Sequence, residues 1–156
     1  MKYLFLQEDF SLLRKEYDYL VREHMKLGGD MKEATSQSSE TWHDNPLFDD
    51  VILRSKLSIE RISKLKDIIE NSKIVEIDKK LEEVQIGSYV RVLDFGVEKK
   101  YKIGSYFILD DQKKDCLEIS YDSPVGRALM NKRINDEISF VVNNCEKKLR
   151  ILEIKI

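Results

Sequence analysis

From Phe10 onward the residues able to face a partner fall at Phe10, Leu13, Tyr17, Leu20, His24, Leu27, Met31 and Ala34, spaced alternately by three and four. This is a coiled-coil seam, because a helix that keeps the alternation over several turns shows one narrow apolar stripe. A second run, Phe48, Ile52, Ser55, Ile59, Ile62, Leu65 and Ile69, keeps nearly the same period. Two stripes of similar length joined by a short polar connection predict an antiparallel helical hairpin, since each leaves water only by packing on the other. At 1.5 Å per residue, helices of about 26 residues reach about 40 Å. That is longer than a small domain needs for its own core.

The second helix has a marked start. Asn45 reads as its N-cap, Pro46 as its first residue, and Asp49 and Asp50 as first-turn acids favoured by the helix dipole. Gly28 and Gly29 interrupt the first helix, each costing about 1 kcal/mol relative to alanine. They could end it there and leave residues 30 to 45 as a long loop, but the seam continues in phase through Met31 and Ala34, which favours a helix that continues, straight or bent. His24, on the seam, is expected to find a hydrogen bond across the pair and help fix register.

Charged residues make up 36% of the 156-residue chain, against roughly 25% in an average globular protein. The excess suits long solvated helix faces. A net charge of −2 excludes a broad electrostatic grip on nucleic acid. The opening MKYLFLQEDF has an apolar run of only four residues, too short for a signal-peptide core. No segment approaches the roughly 18 apolar residues of a membrane helix. A soluble, cytoplasmic, monomeric protein with no membrane partner is expected. Cys116 and Cys145 lack metal-ligand spacing and should be reduced, buried thiols.

Beyond Asn71 the period changes to that of strands. GSYVRVLDF, KKYKIGSYF, CLEISY, DEISFVV and KLRILEIKI are short β-branched and aromatic runs separated by turn residues. One helical turn or two interrupts them, with Ser123 as N-cap, Pro124 in first position, then Val125 to Met130. The expected fold is α+β: a helical arm over 1–75, then an antiparallel sheet with one short helix over 76–156.

The segment EISYDSPVGRALMNKRINDEISFVV with the terminal LRILEIKI resembles the C-terminal domain of the bacterial Gre transcript-cleavage factors, the GreA/GreB family. An N-terminal coiled coil of about 75 residues in the same order extends the resemblance along the chain. It implies that the sheet domain has the FK506-binding-protein-like (FKBP-like) fold and docks at the mouth of the RNA polymerase secondary channel. It implies also that the coiled coil reaches the active centre, and that tip acids share the catalytic magnesium over the 3′ end of the nascent RNA. The factor would have no active site of its own, acting as an accessory to the polymerase. By resemblance, Asp122, Ser123 and Pro124 lie on the docking surface.

The connection SSETWHDNPLFDD is where those acids should sit. Residues 33 to 50 hold Glu33, Glu40, Asp44, Asp49 and Asp50 and no base, whereas 51 to 66 carry Arg54, Lys56, Arg61, Lys64 and Lys66 against Glu60 alone. Magnesium takes oxygen ligands, commonly one or two carboxylates beside phosphate and water. The basic flank is either a solvated helix face or a surface that steadies RNA phosphates. Cleaving family members read Asp-Leu-Ser-Glu-Asn at the tip; this chain reads TWHDN. Asp44 and Asn45 match the second acid and its asparagine, while Thr41 stands where the first acid belongs and Glu40 comes one residue early, a turn of about 100° on a helix. Asp44 is therefore the first candidate for the magnesium-facing acid and Glu40 the second, with Asp49 and Asp50 in reserve. Trp42 either packs over the hairpin end or stacks on a base or wedges beside an active-site element of the polymerase, and His43 is either an exposed histidine without a role or a proton shuttle. The altered tip leaves open a non-cleaving paralogue that occupies the channel and modulates transcription.

Overall fold

The computed structural model describes residues 2–36, 46–80, 82–107, 116–142 and 145–156. They form two compact units, Leu12–Asn71 and the combination of Met1–Ser11 with Ser72–Ile156. Two three-residue strands that the sequence did not announce, β1 (Tyr3–Phe5) and β2 (Ser72–Ile74), pair in parallel with Tyr3 opposite Ser72. Through them the first residues of the chain belong to the sheet unit.

The helical unit is the expected hairpin. Helix α1 (Gln7–Ser36) passes through both glycines unbroken, and α2 (Pro46–Glu70) starts at the proline whose fixed φ suits a first turn. Leu13 and Leu65 are buried, and Tyr17, Leu20, Leu27, Ile52, Ile62 and Ile69 are half-buried along the stripe. An ion pair of 2.9 Å between Glu16 and Arg61 links the two helices. The seam positions Met31, Ala34 and Phe48 lie outside the described side chains.

Two seam readings are corrected. Ile59 is 53% exposed, and half-buried Ser58 takes its place. At about 100° per residue, the face shared by Ser55, Ile62, Leu65 and Ile69 passes within about 25° of position 58 but about 75° from position 59. Helical phase outweighs the hydrophobicity of one residue. His24 is half-buried on the stripe, yet its Nδ1 is buried without a hydrogen-bond partner, so the expected bond across the pair is not made by that atom.

In the sheet unit the strands are β3 (Tyr89–Asp94), β4 (Val97–Gly104), β5 (Leu117–Ser120), β6 (Glu137–Val142) and β7 (Cys145–Lys155), in the order β5-β4-β3-β7-β6. All five expected strand segments are present. Three ladders are antiparallel, but β5 runs parallel to β4, with Gly104 opposite Ser120. The stretch from Ser105 to Cys116 explains this departure from an all-antiparallel sheet: a dozen residues are enough for the crossover that parallel neighbours need. Alternate residues Val90, Val92, Ile103, Ile138 and Ile151 point to one face, where Val84 and Leu129 complete the core. Each such side chain contributes about 1.5–3 kcal/mol by leaving water. Leu129 comes from α3 (Pro124–Leu129), which packs against β6 and β5. Cys116, expected to be buried, is half-buried and free. Among the described residues no helix is long and apolar enough to cross a membrane.

Candidate functional site

The acidic connection and the Asp122–Pro124 loop are the two candidate regions. Glu40, Thr41, Trp42, His43, Asp44 and Asn45 lie outside the described residues, between the end of α1 at Ser36 and the start of α2 at Pro46. Asp49 and Asp50 are described, in the first turns of α2 and exposed. Asp50 is engaged by Arg54 one turn on, at 2.6 Å. Asp49 has no ion-pair partner among the described residues, so it is the freer of the two.

The basic flank looks different once its partners are visible. Arg61 pairs with Glu16, Lys64 with Glu60 at 2.6 Å, and Lys66 with Glu70 at 3.8 Å. The Lys64 hydrogen bond holds the Glu60 carboxyl below its ordinary value. These are exposed pairs that salt and water weaken, each a small contribution to stability. Their consequence is electrostatic: of the five bases, Lys56 alone has no carboxylate partner among the described residues. Three of the pairs are (i, i+4) and were legible in the sequence; the one across the helices was not.

The Asp122–Pro124 loop is built from hydrogen bonds. Ser123 caps α3, its Oγ accepting from the Gly126 N–H at 3.0 Å while donating to the Ser120 carbonyl at 2.8 Å. Ser120 Oγ donates to the Tyr106 carbonyl and accepts from the Asp122 N–H, and the Tyr121 N–H is bound by the Gly104 carbonyl. A Cβ at position 126 would fall 2.1 Å from the Ser120 carbonyl oxygen, so glycine is required where the helix crosses the end of β5. Arg127 donates from both Nε and Nη2 to Asp122 Oδ1, at 3.0 and 2.9 Å. Asp122 Oδ2 is left without a partner among the described residues. A rigid loop thus offers one open carboxylate oxygen beside a guanidinium and a proline ring. Ser-Pro and the short helix were visible in the sequence, whereas Ser120, Gly126 and Arg127 as the loop's supports were not.

Residues 78–156 match the family model described as transcription elongation factor, GreA/GreB, C-term. Over 152 residues the chain is 30% identical to transcription elongation factor GreA of Caldanaerobacter subterraneus subsp. tengcongensis, covering 95% of this chain and 94% of that one. The chain belongs to the GreA/GreB family. GreA of Clostridium novyi is 28% identical over 159 residues, with 99% and 97% of the two chains covered. Among solved structures, GreA factor homolog 1 (Gfh1) of Thermus thermophilus aligns over 99% of both chains at 20% identity and a TM-score of 0.47. As a GreA/GreB protein the chain is a Gre-type transcription elongation factor. Among the described residues no group of three or more His, Cys, Asp and Glu side chains could hold a metal ion.

Proposed function

We propose that this Gre-type factor binds bacterial RNA polymerase, places its helical hairpin in the secondary channel, and stimulates hydrolysis of backtracked RNA. One observation carries the reading: in a chain of this family, two helices of 30 and 25 residues meet at a connecting segment whose only charged side chains are the acids Glu40 and Asp44. The loop of Asp122, Ser123 and Pro124 docks the sheet unit on the polymerase, with Asp122 Oδ2 as its open acceptor. The chemistry belongs to the polymerase and takes place in the cytoplasm.

The donor set suits a shared magnesium ion. Carboxylates are the hard oxygen ligands that it prefers, and Glu40 and Asp44 would hold it, with Asp49 as the unpaired acid nearest in sequence on α2. When bound, the ion stabilises the attacking and leaving oxygens of phosphodiester hydrolysis. In the complex Trp42 stacks on the displaced RNA or a polymerase element, and His43 relays a proton to solvent.

Purified protein mixed with stalled, backtracked elongation complexes tests the reading. Transcripts should shorten with the wild-type factor, not with Asp44→Ala, and more slowly with Glu40→Ala. A second reading is favoured by Thr41, which stands where cleaving relatives carry an acid: the factor occupies the channel without cleaving. Slower nucleotide addition with transcripts left at full length would select it.

A further inference from the structure

The turn between β3 and β4 is built against its own backbone preference. Asp94 pairs with Val97, so Phe95 and Gly96 alone form the loop, and both have positive φ, 48° and 84°. Such two-residue turns favour Asn-Gly or Asp-Gly, because a side chain with a bulky Cβ substituent crowds its own carbonyl in the left-handed region. Phenylalanine there is strained, and burial does not offset the strain: the ring is 75% exposed, with Val97 beside it 59% exposed. The Lys147 Nζ lies 5.9 Å from the ring centroid. Folding alone does not account for the residue. A strained outlier is a pointer to function.

We propose that the Phe95 turn is a second anchor for a protein partner, an apolar ring that enters a pocket edged by carboxylates. The charge around it specifies that edge. Lys99 is taken up by Asp94 at 2.6 Å, but Lys147 and the exposed Lys148 have no carboxylate partner among the described residues. A lone ring with an aliphatic neighbour suits a protein pocket; single-stranded nucleic acid needs a groove with several stacking faces. The anchor is separate from the Asp122–Pro124 loop. That loop follows β5, whose last residue pairs with Gly104, whereas Phe95 precedes β4, so the length of β4, about 23 Å, lies between them. A partner touching both is held at two ends of the sheet, which fixes its orientation.

The inference rests on the reading above in one respect: the partner to be tested is bacterial RNA polymerase core enzyme, titrated with the labelled full-length protein. Phe95→Asn should weaken binding about tenfold while leaving Tm unchanged or raising it a few degrees, as asparagine accepts the left-handed turn. Lys147→Glu combined with Lys148→Glu should weaken binding at low salt, with the difference shrinking as salt rises. Phe95→Asn binding within about twofold of wild type while Asp122→Ala binds poorly would overturn the second anchor alone, and so would a lower Tm for Phe95→Asn. Wild-type protein that does not bind the polymerase overturns the functional reading and this partner together. If Phe95→Asn lost affinity for a single-stranded RNA oligomer but kept its affinity for polymerase, the occupant would be nucleic acid and the protein anchor wrong.

Discussion

The hairpin and the sheet unit keep their shapes by different means. In the sheet, Val84, Val90, Val92, Ile103, Leu129 and Ile151 are each at most 1% exposed, sealed between strands and α3. Among the described residues of the hairpin, Leu13 and Leu65 alone are buried, and the rest of the stripe is half in water. One unit is specified by close packing and the other by the phase of a stripe. A packed unit resists any added atom, whereas a two-helix stripe leaves most of its surface free to change.

Glycine substitution probes that contrast with opposite signs. Gly126→Ala should be the most damaging change, destabilising by about 3 kcal/mol in urea or thermal melts, the upper end for overpacking, because the new Cβ meets the backbone of Ser120 and Tyr121, which cannot yield. Next comes Lys99→Met. Asp94 is 7% exposed and its Oδ1 is already without a partner, so loss of the lysine should cost about 1–3 kcal/mol by leaving a buried carboxylate unpaired.

The same pair gives a pH signature. The hydrogen bond to Asp94 raises the Lys99 pKa above its ordinary value. Its stabilisation is therefore complete below the unfolded lysine pKa and is lost as pH rises through the higher folded value. Melts recorded into the alkaline range should show a downward slope that is shallower in Lys99→Met.

In the hairpin the expected changes are smaller and favourable. Ser58→Leu should stabilise by about 1 kcal/mol as a leucine enters the stripe, while Ile59→Ser stays near neutral; the reverse order would refute the phase argument. Gly28→Ala and Gly29→Ala should each stabilise by about 0.5–1 kcal/mol, since among the described residues nothing beyond the helix's own neighbouring backbone lies within 4 Å of either new Cβ.

What could be read from the sequence follows the same division. The seam from Phe10 to Leu27, the Pro46 start of α2, the Ser123 cap and the five strand segments are local patterns, and each appears where its residues placed it. Relations between distant residues were not legible: the pairing of Tyr3 with Ser72, the parallel entry of β5, and the Glu16–Arg61 link. Periodicity reports which way a side chain faces along its own element but not what lies opposite. Ser58 shows the limit from the other side, because helical phase turns this polar residue to the stripe while apolar Ile59 beside it faces water. At the candidate site, the Ser-Pro loop could be read and its Gly126 and Arg127 supports could not. Glu40 and Asp44 rest on sequence and family alone.

The central claim, that the acidic connection works inside the polymerase, is tested most directly by placing a photoreactive amino acid at position 42 and irradiating a backtracked elongation complex. Crosslinks should form to the 3′-terminal RNA segment and to the catalytic region of the polymerase. Crosslinks confined to the outer surface of the enzyme, from a factor that is demonstrably bound, would contradict it.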